Sequence, residues 1–183
     1  MDHLRDTGYL PPLLRRKVGM AKVPKMAEFI EELLETEQKV VVFAWHRDVI
    51  RELDNALGHH LPAVYVGGMS DEKKTAAVNQ FKNDERCSVF LGQIAAAGTG
   101  INGLQNVCNN VVFAELSWVP GMMAQAIDRC HRIGQTADAV NVFMPHVPGT
   151  LESAMLQVHS AKESVINALM GGVEVGARAE ENV

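Results

Sequence analysis

The feature that most constrains the fold of this chain is a series of short apolar runs separated by helical segments. Residues 39–44 (KVVVFA) form the clearest run, which is nearly continuous and rich in β-branched side chains. Such a run is typical of a strand in a parallel sheet, because that kind of sheet is buried on both faces. Similar runs predict four more strands, at 62–66, 87–91, 111–115 and 139–144.

The segments between these runs predict helices, and strand and helix alternate almost throughout the chain. The predicted helices cover residues 22–36, 47–57, 71–82, 122–133 and 150–170. Crossovers of this length favour right-handed connections between parallel strands. The sequence therefore predicts an α/β fold in which one parallel sheet carries helices on both faces.

Composition and charge narrow the class of protein. The net charge is −5 and aromatic residues make up 5% of the chain, so neither bulk positive charge nor extensive base stacking is available to hold nucleic acid. Residues 1–21 form a basic lead-in, predicted to be extended and then briefly helical. The basic segment 15–25 is either solvated or faces a phosphate backbone or a partner domain. Residues 22–171 form the globular lobe, and the Gly- and Glu-rich residues 172–183 are predicted to be disordered.

The three cysteines, Cys87, Cys108 and Cys130, have no metal-binding spacing, so we expect no metal site and predict buried thiols in a reducing compartment. There is no signal peptide and no apolar run long enough to span a bilayer. We therefore expect no membrane partner and a location in the cytoplasm of a bacterium or virus-infected cell, or in the nucleus of a eukaryote. Cys130 and His131 could form a nucleophile and base, although adjacent helical residues point in different directions.

In parallel sheets, functional residues gather in the loops at the carboxyl ends of the strands. The loops that this rule selects contain Trp45-His46, Gly67-Gly68, Gly98-Thr99-Gly100 and Trp118. Each has a structural alternative. Trp45 could be an aromatic cap over the sheet edge, the Gly98–Gly100 loop a tight turn that needs glycine, and Trp118 part of the packing of a strand-to-helix turn. The phosphate loop GxxxxGK[ST] does not occur, so the chain has no complete nucleotide pocket of its own.

The stretch QAIDRCHRIGQ (125–135) is predicted to lie on the helix at 122–133, with Gly134 as its C-cap. Helical spacing would place Gln125, Arg129 and Arg132 on one face, where the guanidiniums suit a polyanion such as a phosphate chain. The alternative is a solvated face on which Asp128 and Arg132 form a weak ion pair.

Taken in their order along the chain, the strands and loops resemble those of the second RecA-like lobe of Swi/Snf-type ATPases in helicase superfamily two. The resemblance is greatest to the annealing-helicase subgroup. QAIDRCHRIGQ is similar to helicase motif six, VVFAELSWVPG (111–121) to the strand and turn before it, and AAAGTGIN (95–102) to motif five. KVVVFAWHRDVIREL (39–53) is similar to motif four. The resemblance covers residues 13–170 and implies a RecA-like sheet of about five to six strands.

The resemblance also implies roles for individual residues. Arg132 would be the arginine finger of a DNA-dependent ATPase, with Arg129 assisting and Gln125 positioning the arginines. Gly100, Asn102 and Asp128 would line the nucleotide cleft. The residues implied at the nucleic-acid surface are Trp45, His46, Gly67, Gly68, Gly98, Thr99 and Trp118.

The resemblance assigns the phosphate loop and the acidic pair that handles Mg²⁺ to the family's first lobe, and the phosphate loop does not occur in this sequence. The resemblance therefore implies half of a motor: ATP and Mg²⁺ would be bound mainly by the first lobe, on the same chain or a separate one. The DNA partner would be duplex or branched and bound without sequence specificity. We expect the isolated chain not to hydrolyse ATP.

Two departures from the family pattern concern the predicted sites. Lys74-Thr75 stands where the family often has Arg, and Gly92-Gln93 replaces the usual Ser/Thr residues before motif five. Two alternatives remain at this stage: a stand-alone module that binds nucleic acid or acts in trans with a separate first lobe, and an unrelated enzyme that uses Cys130 and His131.

Overall fold

The computed structural model describes residues 12–97, 101–135 and 137–170. Five strands form one sheet in the order β2-β3-β1-β4-β5, and every pairing between neighbours is parallel. The predicted α/β fold with a parallel sheet is confirmed. The strands are β1 (Val40–Ala44), β2 (Ala63–Tyr65), β3 (Val89–Gln93), β4 (Asn110–Phe113) and β5 (Asn141–Phe143).

The described parts of the chain also contain six α-helices and two single turns of 3₁₀ helix. The helices are α1 (Pro12–Leu34), α2 (Arg47–Ala56), α3 (Asp71–Asn83), α4 (Ile94–Ala97), α5 (Pro120–Ile127) and α6 (Leu151–Met170). The 3₁₀ turns cover Gly58–His60 and Leu104–Asn106. The described helices include none that is long and apolar enough to cross a membrane.

Strand β1 is the centre of the sheet, and it is buried on both faces as its composition predicts. All five of its residues are buried, and Val42 pairs with Leu91 of β3 on one side and Val112 of β4 on the other. Val40, Val42 and Ala44 belong to a core cluster with residues of α1 and α2. Phe43 points to the opposite face, where its ring stacks on Phe113 with 5.7 Å between centroids.

Helix α1 is longer than predicted, because the chain is helical from Pro12 onward and not extended. Pro12 begins the helix, a position where the missing N–H costs nothing. Pro24 lies inside the helix and removes one backbone hydrogen bond. Tertiary contacts offset that loss: the Lys22 ammonium donates to the carbonyl oxygens of Ala114, at 3.0 Å, and Pro145, at 2.7 Å.

The chain divides into two compact units, residues 1–146 and 147–183. The sheet lies wholly within the first unit. The described part of the second unit begins with a turn, in which the Thr150 hydroxyl donates to the Val147 carbonyl at 2.7 Å, and continues as α6.

We predict that Gly92→Ala destabilises the fold. Gly92 is buried in β3, and a Cβ atom there would lie 2.7 Å from the Phe43 ring, which is itself fixed against Phe113. Overpacking of this kind costs about 1–3 kcal/mol. Urea unfolding followed by circular dichroism measures the loss. Gly58→Ala is the control, since its Cβ would meet nothing within 4 Å; equal effects of both substitutions would contradict the prediction.

Candidate functional site

The structure brings three of the predicted loops together through the side chain of Gln93. Its Oε1 accepts a hydrogen bond from the Gly67 backbone N–H at 2.9 Å, and its Nε2 donates to the Trp45 carbonyl at 3.2 Å. Gln93 ends β3, between the ends of β1 and β2. The residue that appeared in the sequence as a departure from the family pattern therefore connects the Trp45 and Gly67 loops.

The carboxylate of Glu115, next to these loops, was not among the predicted site residues. It is 2% exposed. Its Oε2 accepts from the backbone N–H groups of Trp45, at 2.9 Å, and His46, at 2.8 Å, and its Oε1 lies 2.7 Å from His46 Nδ1. His46 is the N-cap of α2, so Glu115 fixes both the end of β1 and the start of that helix. An acid at the end of the buried run VVFAE was the available signal, because a buried carboxylate must be paired.

Helix α1 closes over the same region. Gly19 packs so tightly that a Cβ atom there would lie 2.5 Å from Glu115 Oε1. The Arg15 guanidinium lies 4.4 Å from the centre of the Trp45 ring and donates to the Leu116 carbonyl. Arg15 and Lys22 therefore contact the fold itself. Arg16 forms an ion pair with Asp48, and Lys25 forms one with Glu28, while Lys17 and Lys25 are both exposed.

The stretch that contains the two predicted arginines is only partly helical. Helix α5 ends at Ile127, and Asp128 is its C-cap, so the prediction of a helix to residue 133 capped by Gly134 is wrong. The Arg129 N–H turns back to the Ala126 carbonyl, and the Cys130 N–H to the Ile127 carbonyl, which is a tighter pattern than an α-helix. The prediction that Gln125, Arg129 and Arg132 share one helical face is therefore also wrong.

Packing explains why the helix stops early. Cys130 is fully buried, and Gln135 Nε2 donates to the carbonyl oxygens of both Cys130 and Cys108 at 3.0 Å. Gly134 takes a φ of 103°, in the left-handed region that favours glycine. These tertiary contacts hold residues 128–135 as a compact series of turns.

The turns still bring the arginines together. Burial lowers the pKa of the Arg129 guanidinium, and the charge of nearby Arg132 acts in the same direction, while Asp128 and Tyr65 oppose the shift. Arg129 is half-buried and Arg132 is exposed. The alternative ion pair between Asp128 and Arg132 is absent from this described part of the chain. Gln125 is exposed on α5.

A pocket of about 530 Å³ opens beside Tyr65. Its lining includes Asn102, which was predicted in the nucleotide cleft, and both Lys74 and Thr75, which depart from the family pattern. The Lys74 ammonium lies 5.9 Å from the centre of the Tyr65 ring and 3.6 Å from Asp71 Oδ1. Tyr65, which ends β2, lines this pocket and also acts electrostatically on Arg129, so Lys74 and Arg129 both lie near its side chain.

The remaining predicted residues are placed as follows. Gly68 is exposed with a φ of 79°, as a tight turn after β2 requires. Trp118 is half-buried, and Val119 caps α5. Gly98, Thr99 and Gly100 lie outside the described residues.

The buried thiol of Cys130 does not suit a nucleophile. Burial raises the pKa of Cys130 well above its ordinary value and that of Cys108 to about 11. A catalytic cysteine needs the opposite shift, because the thiolate is the reactive form. His131 is exposed, so the two neighbours do not share an environment.

We predict that Glu115→Ala destabilises the chain by about 3–5 kcal/mol, because it leaves two buried N–H groups and His46 without their shared acceptor. The measurement is the free energy of unfolding in urea. Glu28→Ala, which removes an exposed partner of Lys25, is the control and should change that free energy by less than about 0.5 kcal/mol. A small effect at Glu115 would show that its hydrogen bonds are dispensable.

Comparison with known proteins identifies the family. The family described as "Helicase conserved C-terminal domain" matches residues 22–134. The DNA annealing helicase and endonuclease ZRANB3 of Homo sapiens is 32% identical over 170 residues, which cover 91% of this chain and 15% of that protein. SWI/SNF-related matrix-associated actin-dependent regulator of chromatin subfamily A-like protein 1 of Xenopus tropicalis is 32% identical over 157 residues, 84% of this chain and 16% of that protein.

Solved structures agree with this assignment. The C-terminal part of the Fun30 ATPase domain matches with a TM-score of 0.65 and 26% identity, over 72% of this chain and 44% of that one. The Sulfolobus solfataricus SWI2/SNF2 ATPase core domain matches with a TM-score of 0.60 and 26% identity. The match covers 80% of this chain and 29% of that one. The chain spans about 15% of the length of its first curated relative. It belongs to the helicase C-terminal domain family, as an annealing-helicase-like C-terminal lobe of the Swi/Snf type.

Proposed function

We propose that this lobe supplies the arginine finger of a composite ATPase site, together with part of the DNA-binding surface of a Swi/Snf-type translocase. The observation that carries the proposal is the electrostatic influence of Arg132 and of Tyr65, the last residue of β2, on the half-buried Arg129 guanidinium. The charge of Arg132 disfavours that of Arg129, and an anion held between the two guanidiniums would be stabilised by both.

The chemistry of the surrounding donors fits a phosphate group. Arg132 is exposed and can reach toward a second lobe, while Arg129 is held more firmly in the turns after α5. Lys74 adds a third cation at the adjacent pocket, whose lining also includes the Asn102 amide. These groups provide charge and directed N–H donors, but the sequence has no phosphate loop to enclose a triphosphate chain.

The cofactors therefore belong mainly to a partner lobe. ATP, when bound, supplies the phosphoanhydride bond whose hydrolysis drives this class of motor. The role of this chain is to present Arg132 to anionic phosphate oxygens, with Arg129 supporting it electrostatically and Gln125 nearby on α5. Mg²⁺ would be held by the acidic pair that the resemblance assigns to the first lobe.

The proposed DNA surface lies along the loops joined by Gln93 and Glu115. Trp45, His46, Gly67, Gly68 and Trp118 present two half-buried rings, an imidazole and backbone groups, and Gly98 and Thr99 follow the end of β3 in the sequence. The Arg15 guanidinium against the Trp45 ring limits that ring's freedom to stack on a base. Contacts of this kind favour the phosphate backbone and carry little sequence information. With a net charge of −5, the lobe alone should bind DNA weakly.

The test is ATP turnover with and without a first lobe. We expect no DNA-stimulated hydrolysis by the 183-residue chain alone. In the protein that carries both lobes, on one chain or two, Arg132→Ala should lower kcat by about 10³-fold with little change in KM, because a finger acts on the charge of the transition state.

Arg86→Ala is the matched control for that experiment. Arg86 is also exposed, but it pairs with Asp84 before β3, at the amino edge of the sheet, and should leave kcat unchanged. Turnover by the isolated chain that Arg132→Ala abolishes would contradict the division of labour between lobes. An unchanged kcat in the two-lobe protein with Arg132→Ala would contradict the arginine finger itself and favour a binding module that acts in trans.

A further inference from the structure

A cluster of three metal-ligand side chains lies at the amino edge of the sheet, opposite the loops just described. Glu31 is on α1, and His59 and His60 form the 3₁₀ turn that leads into β2. His59 Nε2 lies 2.9 Å from Glu31 Oε1, and His60 Nε2 lies 2.9 Å from Glu31 Oε2. The ligand atoms of the three residues all lie within 4.8 Å of one another.

The position of His60 is set by contacts on its other side. Its Nδ1 lies 3.0 Å from the Ser88 hydroxyl, and its carbonyl accepts from the Ser88 backbone N–H at 3.2 Å. Leu61 then takes a φ of 47°, and its N–H closes the turn on the Gly58 carbonyl. Histidines that bind metals are commonly oriented by a hydrogen bond to the second ring nitrogen, and Ser88 is placed to provide it.

The other two residues are open to solvent. The side chain of His59 is 62% exposed and that of Glu31 is 41% exposed, so an ion could reach the carboxylate and both imidazoles. The two rings lie close together, with 4.2 Å between their centroids.

We propose that Glu31, His59 and His60 form a binding site for a divalent transition-metal ion, for which Zn²⁺ is the best fit. Two imidazole nitrogens and one carboxylate oxygen are typical zinc ligands, with water free to take a fourth position. Zinc–ligand bonds of about 2.0–2.1 Å in tetrahedral geometry place neighbouring ligand atoms about 3.3 Å apart. The two nitrogens now lie 2.9 Å from different oxygens of Glu31, and the exposed His59 and Glu31 side chains can move to bring one oxygen and both nitrogens to this spacing.

Such an ion would join parts of the chain that are distant in sequence. Glu31 lies near the end of α1 and 29 positions before His60, which connects α2 to β2. This separation explains why spacing along the sequence predicts no metal site. The two histidines are adjacent in the sequence, but the third ligand, Glu31, comes from α1. The site would act as a clamp between α1 and the turn before β2.

Hydrogen bonds within the cluster are the competing explanation, because each imidazole can donate to one carboxylate oxygen without any ion. Metal binding distinguishes the two. The 183-residue chain, stripped with EDTA and dialysed, is titrated with ZnCl₂ by calorimetry. We expect one Zn²⁺ per chain, and we expect His59→Ala and Glu31→Gln each to weaken binding by about tenfold or more.

His146→Ala is the matched control, since it removes another exposed histidine that is outside the cluster. It should leave zinc affinity unchanged. Thermal unfolding provides the second measurement: Zn²⁺ should raise the Tm of the wild-type chain and of His146→Ala, but not that of His59→Ala. His59 is mostly exposed, so its substitution should leave the zinc-free Tm close to that of the wild type.

Either of two results would overturn the proposal. Wild-type zinc affinity in both His59→Ala and Glu31→Gln would assign the ion to other donors. No binding at all by the wild-type chain would leave the cluster as hydrogen bonds only.

Discussion

The functional edge of the sheet depends on the buried carboxylate of Glu115. Three donors converge on it: the backbone N–H groups of Trp45 and His46 and the imidazole of His46. A carboxylate this far from water is stable only when such donors replace its hydration. These hydrogen bonds link the segment after β4 to the end of β1 and the start of α2. Gly19 of α1 packs against the same carboxylate, at a position where a side chain would not fit.

Gln93 extends this network from β1 to the end of β2, through its hydrogen bonds to Trp45 and Gly67. The loops of the proposed DNA surface are therefore positioned by two polar side chains at strand ends, and their own residues supply little of that support. Tyr65 ends β2 in turn and experiences the charge of Arg129. A change in how β2 packs would accordingly move both the proposed DNA surface and the surroundings of the arginines.

Helix α1 reaches both edges of the sheet. Gly19 contacts the Glu115 network, while Glu31 meets the histidine pair at the opposite edge. The two positions are separated by about 18 Å along the helix axis, at 1.5 Å per residue. Helix α1, which includes the last residues of the predicted basic lead-in, would thus connect a metal at the amino edge to the Glu115 network.

The sequence alone determined the α/β class, the burial of the KVVVFA strand on both faces and the family, because burial and the order of the motifs leave local signatures. Tertiary structure decided the path after α5. Helical periodicity predicted that Gln125, Arg129 and Arg132 share a face, yet burial of Cys130 and the hydrogen bonds of Gln135 end the helix at Ile127. Tertiary structure also selected Glu115 and Gln93, and paired Glu31 with two histidines far along the chain. A side chain's partners depend on which strand ends and turns meet in space, and periodicity along the chain does not contain that information.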